Sequence, residues 1–375
     1  RIVIAPDKFK GSLDSAAVAA ALAAGVRRVQ PDATIDLCPV ADGGEGTVAA
    51  LVAATGGRIE HRRVTGPLPE MKVDAAFGVL GDGRTAVVEM AAASGLALLK
   101  PEDRNPLNTT TFGTGELLVA AAKLGVSQII LGIGGSATTD AGIGCCQAIG
   151  LPVLLDEGEP VADTEPLVGR DLPRVVLVKH GRGSPVEGVR VTVACDVTNP
   201  LSGPTGAAAV FGPQKGATPG QVAWLDRQLQ ALAERTEKLA EANTPGAGAA
   251  GGLGFGLLAY LPGTTLRPGV EIVFDALRLR ERLAGADLCI TGEGRLDASS
   301  LHGKAPVAVA KLCAQLGVPC VAAVGAVDSA VASDAALLFR AVRAVREGAM
   351  TLEEAVLAAP HKLADFGAEF VEGLM

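Results

Sequence analysis

"RIVIAPDKFKGSLDSAAVAAALAAGVRRVQPDATIDLCPVADGGEGT", residues 1–47, decides the fold class. Arg1 to Pro6 is an apolar run of strand length, and Ser15 to Val29 is an alanine-rich helical stretch. Thr34 to Val40 reads as a second strand, from which "ADGGEGT" leads into a helix ending at Gly56 and Gly57. Strand, helix, strand and helix joined by short connections are the signature of a parallel sheet.

Outward from residue 58 the pattern changes. "GRIEHRRVTGP", "MKVDAAFGVL" and "RTAVVEM" alternate at period two between Gly or Pro turns, as antiparallel strands do. A helix at 115–124 and a strand at 128–131 follow, then the loop in "IILGIGGSATTDAGIG" (129–144) and a helix from about Asp140. Strands are expected at 153–155, 175–179 and 189–194, and helices at 219–242 and 252–261. After a helix around Glu281 the parallel type returns, with strands at 286–292 and 319–325, a helix at 303–316, a last strand "ALLFRAV" (336–342) and a helix from Thr351. The expected architecture is α/β with two domains. Residues 1–57 plus 280–375 form a discontinuous flavodoxin- or Rossmann-like parallel-sheet domain, interrupted by a mixed α/β domain at 58–279.

Composition narrows the function. The 375 residues are 49% hydrophobic and 20% charged, with a net charge of −8 and no long block of one sign. That balance argues against nucleic acid or an anionic membrane as the main partner and for a small molecule. Aromatic residues make up only 3%, so the cores are built from Ala, Val, Leu and Ile. The seven cysteines lie mostly in apolar runs without a Cys-x-x-Cys pair, which reads as reduced core thiols of a cytoplasmic protein. No export signal opens the sequence and no apolar run reaches transmembrane length.

Several loops carry more chemistry than a connection needs. In the 129–144 stretch, Gly132, Gly134 and Ala137 match a dinucleotide fingerprint, with Asp156 as its acid. The same loop holds Gly135, Ser136, Thr138, Thr139 and Asp140, which suit a phosphate and its metal better. "PVADGGEGT" (39–47) brings Asp42 and Glu45 around two glycines, a pair suited to Mg²⁺. "APDKFKGSL" (5–13) offers Lys8, Lys10 and Ser12 at a helix start. "ITGEGRLDASSLHGK" (290–304) adds Glu293, Arg295, Asp297, His302 and Lys304. These last three loops leave the proposed parallel sheet at one edge, where open α/β sheets bind ligands. "ACDVTNPLSGPTGAAAVFGPQKG" (194–216) contributes Asp196, Asn199 and Lys215, and "RNPLNTTTFGTGEL" (104–117) contributes Arg104 and the run Thr109, Thr110 and Thr111. The four histidines are too scattered for a zinc site, and Trp224 reads as packing. No G-x-x-x-x-G-K-[ST] occurs, which excludes a P-loop kinase.

Taken in order, the loops just quoted, with "EMAAASGL" (89–96) and "GAGAAGGLGFGL" (246–257), resemble the type I glycerate kinase family over nearly the whole chain. The resemblance implies ATP-dependent phosphorylation of D-glycerate, a two-domain α/β structure and an active site in the cleft between domains. Bacterial members of this type are generally assigned as 2-kinases rather than 3-kinases. Under this reading Lys8 and Lys10 meet phosphate or substrate carboxylate, Asp42, Glu45 and Asp140 serve the metal, and the 132–140 loop cradles phosphate. Asp196 is the first candidate for the general base, with Glu293 and Asp297 as competitors. Arg295 and Lys304 face the transferring phosphoryl group, and Ser12, Asn199 and Lys215 add donors. Two rivals are an NAD-type oxidoreductase, which leaves the lysine and carboxylate loops unexplained, and a non-catalytic binder of small acids.

Overall fold

The computed structural model describes residues 1–41, 43–44, 46–156, 165–179, 183–301 and 304–373. Its strands, in chain order, are β1 (Ile2–Pro6), β2 (Ile35–Leu37), β3 (Arg58–Thr65), β4 (Lys72–Val79), β5 (Thr85–Glu89), β6 (Gln128–Gly132), β7 (Val153–Leu155), β8 (Val175–Val178), β9 (Arg190–Ala194), β10 (Thr265–Arg267), β11 (Leu288–Glu293), β12 (Cys320–Val324) and β13 (Ala341–Ala344). The protein is α/β and divides into two compact units. One comprises Arg1–Asp42, Ala49–Gly56 and Val270–Met375, the other Gly43–Val48 and Gly57–Gly269. The helices Gly269–Leu277 and Leu279–Leu283 follow one another with only Arg278 between them, at φ 52, and the return to the first unit falls at Val270, in the first turn of the first of them.

The first unit is built on a five-stranded sheet in the order β13-β12-β11-β1-β2, every pair parallel. Ile2 and Ile4 of β1 share a core with Val18 and Leu22 of the helix Ser15–Val29 and with Leu363 and Phe366 of the helix Leu352–Glu372. The first helix is started by Asp14, whose carboxylate accepts the Ala17 N–H at 2.7 Å. The two helices touch through glycine: a Cβ on Gly367 would run into the Leu22 carbonyl. Because side chains alternate along a strand, Val3 and its register partner Cys289 turn to the other face. The helix Ala305–Leu316 packs against β1, β11 and β12. The expected strand "ALLFRAV" is corrected here. Its first three residues belong to the helix Ala332–Leu338, and β13 begins at Ala341. Leu337 is 87% exposed on that helix, so the apolar run that suggested a strand is not a buried one.

The second unit holds a six-stranded sheet in the order β10-β9-β6-β5-β4-β3. β10, β9, β6 and β5 are mutually parallel, while β4 and β3 add the antiparallel pairs anticipated from period-two alternation. Val88, Ile129, Leu131 and Val193 pack with Leu117 and Leu118 of the helix Phe112–Ala122 and with Leu253 and Phe255 of the helix Ala249–Tyr260. β7 and β8 pair separately as an antiparallel ribbon. The single helix expected over 219–242 is two, Pro219–Arg235 and Leu239–Ala242, since Glu237 at φ 56 cannot continue a right-handed helix.

Candidate active site

In the first unit β1 ends at Pro6, β11 at Glu293 and β12 at Val324, and the loops leaving these ends meet. A Cβ on Gly294 would lie 3.1 Å from the Lys10 nitrogen and 3.2 Å from Phe9 Cα, so glycine lets the two loops approach backbone to backbone. Between them lies a cavity of about 680 Å³, lined by Asp7, Lys8, Lys10 and Ser12 from one loop and Glu293, Arg295, Asp297 and Lys304 from the other. Val345, Leu352 and Val356 give it an apolar wall. Glu293 is 5% exposed, and its Oε1 is buried without a hydrogen-bond partner. Burial pushes its carboxyl up from the ordinary 4.5 to about 7, against the opposing pull of the Ser300 hydroxyl and the Lys304 charge. Lys304 Nζ lies 3.9 Å from Glu293 Oε2 and 3.5 Å from Asp297 Oδ1. Asp297 Oδ1 also accepts the Ser300 N–H at 3.2 Å. The Ser12 hydroxyl is buried without a partner, whereas Arg295 is exposed and reaches Asp328 at 3.4 Å.

A second cluster lies within the second unit, where β5 ends at Glu89, β6 at Gly132 and β9 at Ala194. Gly43 and Val48 lie along this edge. A Cβ on Gly43 would meet Gly269 Cα at 2.8 Å and Ala194 Cβ at 3.0 Å, one on Gly132 would meet the Gly43 oxygen at 2.8 Å, and Glu89 Oε1 accepts the Val48 N–H at 2.8 Å. Next to it, Gly134 and Gly135 form an exposed loop tip, with Ser136 largely covered at 8%.

Behind that tip the expected ligands turn inward. Thr138, Thr139 and Asp140 are fully buried. The Asp140 carboxylate accepts the N–H and hydroxyl of Thr111, each at 2.8 Å, and the Gly142 N–H at 3.2 Å. Burial raises its pKa despite those bonds. Lys215 is 1% exposed and donates from Nζ to the Thr138 carbonyl at 2.5 Å, and burial pushes it down from 10.5 to about 7. The structure thus places Thr138, Thr139, Asp140 and Lys215, expected as phosphate, substrate and metal contacts, inside the unit rather than at its exposed edge. Asp140 and Lys215 hold the loop from inside, because a buried loop's polar backbone needs partners of its own, whereas the Thr139 hydroxyl is buried without one. The helix that follows starts at Ile143 rather than Asp140, after left-handed Ala141 and Gly142.

Asn199 is likewise engaged in its own loop, donating to the Thr205 carbonyl at 2.7 Å. Asp196 is exposed and accepts the Gly269 N–H, the start of the helix Gly269–Leu277, at 2.8 Å. Asp42, Glu45 and His302 lie outside the described residues. The sequence reading passes over Asp7 and Glu89. Both stand directly at the end of a strand that pairs in parallel, and an acid in that position is the signal that could have found them.

Comparison with known proteins identifies the family. A sequence model of the Glycerate kinase family matches residues 2–374. The chain is 49% identical over 329 residues to a protein of Haemophilus influenzae named "Glycerate kinase", covering 87% of this chain and 85% of that one. It is 46% identical over 329 residues to an Escherichia coli K12 protein named "Glycerate 2-kinase", again covering 87% and 85%. The crystal structure of a Salmonella typhimurium LT2 protein provisionally named glycerate kinase 2 superposes with a TM-score of 0.88 at 43% identity, covering all of this chain and 97% of its own.

Proposed function

The chain belongs to the glycerate kinase family, and from that premise we propose that it transfers the γ-phosphoryl group of ATP to D-glycerate, with the 2-hydroxyl as acceptor. The observation that carries the reading is the cavity at the C-terminal edge of the first unit's sheet, where a carboxyl near pKa 7 stands 3.9 Å from a lysine. Phosphoryl transfer to an alcohol needs positioning, cations for the transferring group and an acceptor for the hydroxyl proton. Lys8, Lys10 and Lys304 line the cavity as cations, and its apolar wall suits a nucleotide base.

Glu293 is the best-placed general base, since it is half ionised near neutral pH and one of its oxygens is unengaged. Asp196, exposed and holding a helix start, ranks behind it. The second unit's edge supports phosphate contact through the exposed Gly134–Gly135 tip. A Mg²⁺ ion fits the same reading. Asp42 and Glu45 flank in sequence the glycines Gly43, which packs on Gly132 and Ala194, and Gly44, which lies near Gly134, and they would supply the hard oxygen donors the ion takes. When bound, it would offset the charge of the phosphates. Asp140, enclosed by Thr111 and Gly142, does not fit that role.

No helix among the described residues is long and apolar enough to cross a membrane, and all seven cysteines are free thiols, which supports a cytoplasmic location. The test couples ADP release to D-glycerate and identifies the product by phosphorus NMR. Turnover that requires D-glycerate and Mg²⁺ and yields 2-phosphoglycerate is expected. A 3-phosphoglycerate product would overturn the choice of hydroxyl, and the absence of glycerate-dependent ADP would overturn the activity.

A further inference from the structure

Three cysteines of the first unit stand apart from the chemistry above. Cys289 in β11 and Cys320 in β12 are register partners on neighbouring strands. Cys313 lies in the last turn of the helix Ala305–Leu316, which packs on both strands. That helix is capped by left-handed Gly317, and the returning chain is tied back by the Val318 N–H to the Cys313 carbonyl and the Cys289 N–H to the Pro319 carbonyl, both 2.9 Å. All three are buried, Cys320 retaining 6% exposure, and their sulfurs lie within 4.8 Å of one another. Glu293 is four residues further along β11, roughly 13 Å at strand rise, so the cluster is separate from the charged cavity.

We propose that Cys289, Cys313 and Cys320 form a trithiol site for a three-coordinate thiophilic centre, and that trivalent arsenic is the form its surroundings favour. Three sulfurs bonded at about 2.3 Å to a pyramidal trivalent centre stand about 3.5 Å apart, a modest closing of sulfurs that already lie within 4.8 Å of one another. Among the described residues no His, Asp, Glu or fourth Cys completes the group, which disfavours the closed tetrahedron of structural zinc. Charge then selects the occupant. Three thiolates leave two negative charges around a monovalent ion and one around a divalent ion, but none around a trivalent centre, and an uncompensated charge in a buried site is costly. The exchange balances without an oxidant. Arsenous acid loses three As–O bonds and the cysteines three S–H bonds, three As–S bonds form, three waters leave, and arsenic stays trivalent.

The test uses the full, reduced chain carrying Cys145→Ser and Cys146→Ser, which removes the adjacent cysteine pair as a competing chelate. After incubation with sodium arsenite and gel filtration, arsenic content and X-ray absorption at the arsenic edge are measured. One arsenic per chain with three sulfur neighbours and no oxygen is expected, and Cys313→Ser should weaken retention at least tenfold. Negligible retention, oxygen neighbours in the parent spectrum, or unchanged affinity in a folded Cys313→Ser variant would overturn the site. If Cys313→Ser does not fold, the parent spectrum alone decides.

Discussion

Glu293→Gln tests the proposed base by two routes with opposite signs. The carboxyl sits at about 7 when folded against 4.5 ordinarily, so at about 1.4 kcal/mol per pH unit its ionisation costs the folded state about 3 kcal/mol. The groups facing it are Lys304, Asp7, Asp297 and the Ser300 hydroxyl, and all are unchanged in the variant. For a carboxyl raised on folding, the stabilising share is whole below pH 4.5 and is lost as pH climbs through 7. Urea denaturation should therefore find the two proteins similar at pH 4.5 and the Gln variant more stable by up to about 3 kcal/mol at pH 8, with amide exchange in β11 reporting on the unit concerned. Activity should move the other way. A positioned base contributes on the order of 10²- to 10⁴-fold, so kcat should fall by at least about 10² with KM much less affected, and the limb of the wild-type pH–rate profile near 7 should vanish. A Gln variant with wild-type kcat and a stability difference that does not change between pH 4.5 and 8 would refute both the environment assigned to Glu293 and its role.

Lys215 gives a pH signature of the other kind. Its folded value is depressed from 10.5 to about 7, so its contribution is complete above 10.5 and lost as pH falls to 7. Wild type should gain on Lys215→Met by up to about 1.4 kcal/mol per pH unit across that window in denaturation curves, and a flat difference counts against the buried placement. Asp140→Ala strands the Thr111 N–H, the Thr111 hydroxyl and the Gly142 N–H, and should cost about 3 kcal/mol or more, with Asp140→Asn costing less; equal stability by urea titration would deny Asp140 its structural part. Gly367→Ala drives a methyl into the Leu22 carbonyl and should lower stability by about 1–3 kcal/mol. Gly220→Ala, with nothing within 4 Å, should instead be neutral or gain up to about 1 kcal/mol, so similar thermal shifts from both would contradict the packing described.

The fold was legible where periodicity and burial coincide. β1 is uniformly apolar because it is covered on both faces, and β3 and β4 alternate because one face is open, so both sheet types show in the residues alone. β10 is three residues beside a glycine turn and carries no period, and it exists because β9 offers it an edge. The site divides along the same line. Glycines and charges at strand ends mark the loops that line the cavity. Which charges face the ligand was not legible: Lys215 and Asp140 have the composition of ligands, and only burial by residues far away in sequence gives them to the interior. Cys289, Cys313 and Cys320 read correctly as core residues, but their convergence depends on the β11–β12 register and the helix between them.

The strand order of the first unit also bears on how the protein is made. β1 pairs with β2 about thirty residues later, but its other neighbour, β11, is nearly three hundred residues away, and β12 and β13 follow only after that. At roughly 5–20 residues per second, the ribosome leaves β1 and the helix Ser15–Val29 without most of their sheet for many seconds. The second unit, whose strands all lie between them, can complete its sheet first. An apolar strand waiting that long for its partner is a template for pairing with other nascent chains, so the strand order leaves β1 as the part of the first sheet longest exposed to mispairing during synthesis.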